Sequence, residues 1–225
     1  MNRKEIVNGQ RIPYELETEA LIQMLGSQDM TIFCLACEAL SYRSEEQAYS
    51  ALSSYLTSKD YYRRLYAFQV IFRNPRTASL QWYLDKQLSS EDLIFVRAAL
   101  HNIMYYQVSC SEEKLKAAVY VHYRSLYDEF YALAALSISD DNYQYLKSLW
   151  KVACTSISQE IISKVLIRGY GATKAEELFS LLSASSNPKL RVMAVYHAKE
   201  NGISTEHMAN DVNGHVRKAV KGSKR

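Results

Sequence analysis

The feature that most constrains the fold is a small residue that recurs about every 31 positions. The steps between successive members are 31, 32, 33, 31 and 31 residues, and the members are Ala36, Ala67, Ala99, Ala132, Ser163 and Ala194. Four positions later stand the apolar residues Leu40, Ile71, Ile103, Leu136, Ile167 and Ala198. Positions i and i+4 lie on one face of a helix. A fixed period of this length therefore predicts a helical repeat in which one helix of each unit is closely pressed by its neighbours.

Residues that favour helix N-termini keep the same register. Seven positions before each small residue stand Asp29, Asp60, Asp92, Ser125, Ser156 and Asn187. Side chains of these types accept a hydrogen bond from an otherwise unpaired N–H in the first turn. Ser125-x-x-Asp128 and Ser156-x-x-Gln159 also have the spacing of a capping box. The pattern thus predicts where these helices begin.

A second helix is predicted before each of these. Its expected starts are Ser44-x-x-Gln47, Asn74 with Pro75, and Thr173-x-x-Glu176. Apolar pairs four positions apart give these helices an inner face: Leu21/Leu25, Leu52/Leu56, Leu84/Leu88 and Leu178/Leu182. Each repeat is then helix A, a short turn and helix B, and such a pair buries its apolar face only by stacking on its neighbours.

The segment from Asn187 to Ala194, NPKLRVMA, resembles the inter-helix turn and second helix of a HEAT repeat. The segment from Asp60 to Ala67 is similar, with Arg64 in the place of Arg191. Asn213 begins a shortened copy, whereas the fourth and fifth repeats lack the arginine. The resemblance implies an all-α solenoid of about six to seven HEAT-like helix pairs. It also implies that Arg64 and Arg191 tie adjacent repeats together.

The predicted organisation is an N-terminal arm at 1–16, one HEAT-like repeat domain at 17–220 and a basic tail at 221–225. Only 7 Gly and 3 Pro in 225 residues disfavour an all-β fold, which needs many tight turns. The net charge is +3, but the last eleven residues hold five basic side chains and no acid, so the preceding chain is net −2. A near-neutral body provides no general field for nucleic acid.

Composition also predicts the cellular setting. No stretch approaches the roughly 18 apolar residues of a membrane span, and the N-terminus turns polar too early for a signal peptide. Four cysteines are ordinary for this length, which favours a reducing cytoplasm. No membrane partner is expected.

Side chains that carry chemistry are sparse. Cys34-x-x-Cys37 is the one metal-like spacing, but Cys110 and Cys154 fall in distant repeats, so buried small thiols are expected rather than a zinc site. The five histidines lack paired metal-ligand spacing, and no phosphate-binding glycine loop occurs. No catalytic residue, metal or cofactor is therefore predicted.

One enzymatic alternative follows from the resemblance. Some bacterial alkylpurine DNA glycosylases are built from HEAT-like repeats and place aromatic residues, an Asp and an Arg in a basic groove. Trp82 and Asp85 have a spacing of three positions, but they and Trp150 fall on A helices, the expected outer layer. A nucleic-acid-binding or DNA-repair solenoid is therefore the alternative, not the leading, prediction.

The candidate binding surface is the side of the B helices opposite the small residues. Helical geometry places that side at offsets of +2, −5, +5 and +6 from each small residue. The resulting set is Tyr62, Gln69, Arg73, His101, Tyr105, Tyr127, Arg168, Lys189, Tyr196 and Lys199, with Glu38 and Glu200 as its acids.

Tyrosine and arginine are enriched in interface hot spots. The leading prediction is a non-catalytic scaffold that binds a protein or peptide, possibly acidic, in a concave groove. The open alternative is that a chain with 18 tyrosines exposes some on every face.

Overall fold

The computed structural model describes residues 5–74, 76–153 and 155–222, apart from the side chain of residue 78. Within these ranges the chain forms twelve α-helices, four short 3-10 segments and one two-stranded hairpin, as the predicted all-α class requires. The chain divides into two compact units, Met1–Ala118 and Val119–Arg225, here called unit 1 and unit 2.

Unit 1 begins with a hairpin and continues as alternating helices. Its elements are β1 (Ile6–Val7), β2 (Gln10–Arg11), α1 (Thr18–Leu25), α2 (Met30–Leu40), α3 (Glu46–Ser54), α4 (Tyr61–Ile71), α5 (Gln81–Leu88) and α6 (Leu93–Tyr106), with 3-10 turns at Tyr55–Thr57 and Thr77–Leu80. Helix α2 packs on α4 and α4 packs on α6, while α1, α3 and α5 pack beside them. Helix α7 (Glu112–His122) begins in unit 1 and ends in unit 2.

Unit 2 repeats this alternation. Its elements are a 3-10 segment (Asp128–Ala135), α8 (Asp140–Val152), α9 (Ser156–Tyr170), α10 (Ala175–Ser183), α11 (Pro188–Glu200), a 3-10 turn (Glu206–Met208) and α12 (Gly214–Lys221). Helix α9 packs on the first 3-10 segment, on α8 and on α11, and α11 packs on α10 and α12. Neighbouring B helices therefore contact one another within each unit.

The predicted row of small residues forms the interior of these contacts. Ala36, Ala67, Ala99, Ser163 and Ala194 are fully buried, and Ala132 is 1% exposed. This burial confirms the predicted register in α2, α4, α6, α9 and α11, whereas Ala132 is buried within a 3-10 segment. A larger side chain at these positions has no empty space to enter, since protein interiors are close-packed.

Four of the predicted caps are confirmed. The carboxylates of Asp29, Asp60 and Asp92 accept from the N–H groups of Thr31, Arg63 and Ile94. Asn187 accepts from the N–H of Lys189 at 3.0 Å. Asn213 caps α12 in the same way, through the N–H of His215.

The predicted caps at Ser125 and Ser156 are wrong. Helix α9 is capped one residue earlier, because Thr155 Oγ1 accepts from the N–H of Ser158 at 3.0 Å. No α-helix begins directly after Ser125. The buried Glu129 side chain instead accepts the N–H of Tyr127 at 2.8 Å, and the 3-10 segment begins after it.

The expected starts of the A helices also need correction. Helices α3 and α10 begin after Glu45 and Lys174, neither of which caps through its side chain, so Ser44 and Thr173 are not caps. Asn74 accepts from the N–H of Arg76, but α5 begins only at Gln81. Pro75 lies outside the described residues.

Part of the predicted N-terminal arm is packed structure. Ile6 pairs with Arg11 and Val7 with Gln10 in an antiparallel hairpin. Asn8 and Gly9 both have positive φ, as a two-residue type I′ turn requires. Val7 and Ile12 are buried, and β1 contacts α2, so this segment is not a loose arm. Residues 1–4 of the arm and 223–225 of the basic tail lie outside the described residues.

Three arginines in equivalent positions hold the turns before their helices. Arg64, Arg191 and Arg217 donate to the carbonyls of Ser58, Ser185 and Asp211, each six residues earlier. Arg191 also reaches the next repeat, where its Nε and Nη2 donate to the two carboxylate oxygens of Asp211 at 2.7 and 2.9 Å. This bidentate pair ties α11 to the segment that leads into α12.

The pair predicts an acid-sensitive contribution to stability. The hydrogen bonds from Arg191 lower the pKa of Asp211. The ion pair therefore stabilises the fold fully above the ordinary Asp pKa of about 3.9. This stabilisation is lost as the pH falls through the lower pKa of Asp211 in the folded state. We expect Asp211→Asn to cost about 1 kcal/mol at neutral pH, as for a partly exposed bidentate pair. Urea unfolding at a series of pH values measures this cost.

The difference between wild type and Asp211→Asn should shrink once the pH is below the ordinary Asp pKa. Glu200→Gln is the matched control, because Glu200 is exposed and makes no ion pair within the described chain. A cost for Asp211→Asn that does not change with pH contradicts a role for its ionised form.

Candidate functional site

The nine predicted partner-binding residues fall in two sets, one in each unit. Unit 1 holds Tyr62 and Gln69 on α4, Arg73 just after it, and His101 and Tyr105 on α6; unit 2 holds Tyr127, Arg168 on α9, and Lys189 and Tyr196 on α11. Seven of the nine are exposed, whereas Arg73 and His101 are half-buried. Lys199 and Glu200 are also exposed, although the Lys199 ammonium donates to the carbonyl of Ala219.

Arg73 and Glu38 do not face solvent as predicted. The Glu38 side chain is 2% exposed and forms an ion pair with Arg73, whose side chain is 17% exposed. The Tyr66 hydroxyl donates to the other Glu38 oxygen at 2.9 Å, and Arg73 Nε donates to the Tyr106 hydroxyl at 2.8 Å. The helical offset from Ala36 was correct for an isolated helix, but α4 and its C-terminal turn cover that side of α2.

This cluster links three successive B helices of unit 1. Glu38 lies on α2, Tyr66 on α4 and Tyr106 on α6, with Arg73 between the last two. Burial and the neighbouring Glu38 carboxylate raise the pKa of Tyr66, so its hydroxyl remains a donor. The arginine is therefore committed to a structural contact.

Tyr62, Gln69 and Tyr105 are exposed side chains of α4 and α6. Tyr62 is 70% exposed and its ring meets Tyr61 edge-on at 5.3 Å between centroids. Tyr105 is 52% exposed, 5.9 Å from the His101 ring. These contacts leave Tyr62 and Tyr105 available at the surface but do not group them into a site.

Unit 2 brings two of its candidates together. Arg168 of α9 and Tyr196 of α11 line an open pocket of about 270 Å³, here called the α9–α11 pocket. Its full lining is Lys164, Ile167, Arg168, Met193, Tyr196, His197 and Glu200. Lys164, Ile167, Met193 and His197 are the members that the helical offsets had not selected as surface residues.

The cations beside the pocket differ in how they are paired. Lys164 and Glu160 form an ion pair at 2.9 Å, and the Lys189 ammonium lies 3.8 Å from the same carboxylate. The hydrogen bond from Lys164 lowers the pKa of Glu160 and raises that of Lys164, so both remain charged at neutral pH. Within the described chain Arg168 and Glu200 make no ion pair or hydrogen bond through their side chains.

His197 lines the pocket and is 2% exposed. Its Nε2 lies 3.2 Å from the Ala175 carbonyl and its Nδ1 lies 3.3 Å from the Asn201 amide nitrogen. The Asn201 amide donates to Nδ1, so Nε2 carries the proton and donates to Ala175. Gly171 permits this packing, because an added Cβ would lie 3.3 Å from His197 Cε1 and 2.4 Å from the Ile167 carbonyl oxygen.

Asp85 and Trp150, two of the three side chains in the DNA-glycosylase alternative, have structural partners. The Asp85 carboxylate accepts from the N–H of Ser111 at 2.9 Å. The Trp150 indole is buried and donates to Ser163 Oγ at 2.9 Å. Trp82 is 58% exposed on α5.

The described cysteines, Cys34, Cys37 and Cys110, are free thiols. Cys34 and Cys37 are buried, as predicted, and burial raises the pKa of Cys37. Burial likewise raises the pKa of Cys110 to about 11, so it remains a thiol at neutral pH. Cys154 lies outside the described residues.

A serine two positions before the cap is a signal that sequence reasoning missed. The hydroxyls of Ser27, Ser58, Ser90 and Ser185 accept the N–H of the capping residue at 3.1 Å in every case. The motif Ser-x-Asp/Asn is readable in the printed sequence at each of these turns. It identifies the start of a B helix more reliably than the capping box does here.

Within the described chain, no helix is both long enough and apolar enough to cross a bilayer. No protein-family model matches the sequence, and no curated protein does. The HEAT-repeat resemblance therefore remains a prediction from the turn and helix motifs.

Proposed function

We propose that this chain is a non-catalytic scaffold of HEAT-like repeats that binds a protein or peptide partner through the α9–α11 pocket. The observation that carries the proposal is that the exposed Arg168 and Tyr196 line one pocket together with the apolar side chains of Ile167 and Met193. Tyrosine and arginine contribute disproportionately to interface binding energy. Methionine adapts its shape to different partners.

The chemistry around the pocket favours binding over catalysis. A general base needs a nitrogen or oxygen that reaches the substrate, but both ring nitrogens of His197 are engaged inside the protein. Glu160 is held between two lysines. Arg168, Tyr196 and Glu200 remain. Glu200 has the chemistry of a base, but no hydrogen bond within the described chain holds its carboxylate in position for that role.

Nucleic-acid binding is the competing function, and α12 is the observation that favours it. His215, Arg217, Lys218 and Lys221 are exposed on this helix, which carries no acid. Arg217 is already bonded to the carbonyls of Asp211 and Val212. Retention of the purified protein on DNA that weakens steeply with salt would favour this function.

We expect Tyr196→Ala combined with Arg168→Ala to weaken partner binding by about 30-fold, the loss that corresponds to truncating a hot spot of roughly 2 kcal/mol. Both side chains are exposed, so the melting temperature should change little. The partner is first enriched from a cell lysate and identified by mass spectrometry. Its affinity for both proteins is then measured by titration calorimetry.

Lys218→Ala combined with Lys221→Ala is the matched control, because it removes two exposed charges from α12 and leaves the pocket intact. Loss of binding in this control, with normal binding by the pocket variant, would place the working surface on α12.

A further inference from the structure

We propose that the α9–α11 pocket receives one apolar side chain of an extended peptide whose flanking residues carry opposite charges. The acidic neighbour lies toward Arg168 and the basic neighbour lies toward Glu200. This inference rests on the proposed function and specifies the chemistry of the partner.

The size and lining of the pocket indicate a single side chain as its occupant. Its volume of about 270 Å³ is below the roughly 300–1,000 Å³ of typical small-molecule sites. Ile167 and Met193 supply aliphatic contacts from the two helices, and Tyr196 adds a ring that is 57% exposed. The pocket is open to solvent, so a residue on an extended chain can enter it while its neighbours remain outside.

The charges beside the pocket indicate how the occupant is oriented. Lys164 and Lys189 both pair with Glu160. Arg168 and Glu200, in contrast, line the pocket from α9 and α11 and have no ionic partner in the described chain. No ion pair or hydrogen bond joins these two side chains in the described structure.

Arg168 on α9 and Glu200 on α11 carry opposite charges and favour a ligand that presents an acid to the first and a base to the second. Complementary charges at the edge of an interface fix register and reject partners of the wrong sign more than they add affinity. An arginine prefers a carboxylate, which it can bind through two parallel hydrogen bonds. A peptide of the reversed charge order places like charges together and is disfavoured.

The same charges argue against a nucleic-acid strand in this pocket. Phosphate backbones need a cationic surface along their path, whereas the unpaired Glu200 carboxylate on α11 lines the pocket. A peptide with one acidic and one basic residue meets no such conflict.

A phage-displayed library of random dodecapeptides, selected on the immobilised full-length protein, tests the inference. The wild-type protein should enrich an apolar residue with an acid on one side and a base on the other. Arg168→Glu should enrich a base in place of the acid, and Glu200→Lys should enrich an acid in place of the base. The variant with both changes should enrich the reversed order.

Synthetic peptides from the wild-type selection provide the quantitative readout. Their affinity should fall by about fivefold for each charge reversal, the scale of one exposed ion pair. Replacing the peptide's acid by lysine should restore binding to Arg168→Glu. Unchanged thermal unfolding of both variants confirms that the fold is intact.

The two hypotheses fail in different ways. Peptides that enrich strongly but show no charge pattern, or a pattern that the variants do not shift, overturn the charge-ordered pocket and leave peptide binding in place. A selection that enriches no peptide above the immobilisation matrix overturns peptide binding itself.

Discussion

Replacing Glu38 by alanine is expected to lower the free energy of unfolding of unit 1 by about 3 kcal/mol. Removing one partner of a buried ion pair leaves the other charge without compensation, which typically costs about 3–5 kcal/mol. The lower end applies because the Arg73 side chain is 17% exposed and regains some water. The Tyr66 hydroxyl also loses its acceptor. Urea unfolding followed by circular dichroism measures the change.

A double-mutant cycle separates the ion pair from the packing of its side chains. Arg73→Ala alone should also be strongly destabilising, because it leaves the buried Glu38 carboxylate with fewer donors. The double variant should cost less than the two single variants together, since no unpaired charge then remains. Strictly additive costs would show that the two side chains act independently.

Glu46→Ala is the matched control for the environment of the pair. Glu46 and Arg76 form an ion pair at 2.8 Å within unit 1, but their side chains are 66% and 49% exposed. Exposed pairs contribute at most about 1 kcal/mol. If Glu46→Ala proves as costly as Glu38→Ala, burial is not what makes the Glu38 pair important.

The helical register was predictable because it depends on local chemistry. A residue that packs between neighbouring helices must be small. This requirement applies in the same way at Ala36, Ala67 and Ala99, which are all fully buried. The Asp caps are equally local, since each bonds an N–H two or three residues away. The Asn8-Gly9 turn is equally local, because an Asn-Gly pair readily adopts the two positive φ angles of a type I′ turn.

The surface predictions were weaker because exposure depends on neighbouring helices. A single-helix offset placed Glu38 in solvent and could not anticipate that Tyr66 and Arg73 would cover it. The fourth repeat shows the same limit. Its buried Glu129 accepts the N–H of Tyr127, and a 3-10 segment stands where the α-helix was expected.

The pocket was half predictable for a geometric reason. Residues 180° from the small residue point to solvent, and this rule selected Arg168 and Tyr196. A cleft between two helices is instead lined by side chains about 100° to either side of the small residue. Lys164 follows Ser163 and Met193 precedes Ala194, so each occupies that flank. A rule that also selects the residues beside each small residue in consecutive repeats would have added Lys164 and Met193 to the predicted site.

Phe68→Ala is expected to destabilise unit 1 by about 3–5 kcal/mol, the range for deleting a fully buried aromatic side chain. The Phe68 ring lies 5.3 Å from Tyr83 of α5, 5.8 Å from Phe72 and 6.1 Å from Phe95 of α6, measured between centroids. The deletion leaves a cavity among three rings that cannot all move inward, because the Tyr83 hydroxyl is held by the Leu56 carbonyl at 2.8 Å.

Two further variants make this result specific. Phe68→Leu fills most of the space and should cost clearly less than Phe68→Ala. Tyr62→Ala removes an aromatic side chain from the same helix, but one that is 70% exposed, so its cost should stay within about 0.5 kcal/mol. Hydrogen exchange read by mass spectrometry should show faster exchange across α4, α5 and α6 in Phe68→Ala. Equal costs for Phe68→Ala and Tyr62→Ala would mean that α4 does not pack through its Phe68 face.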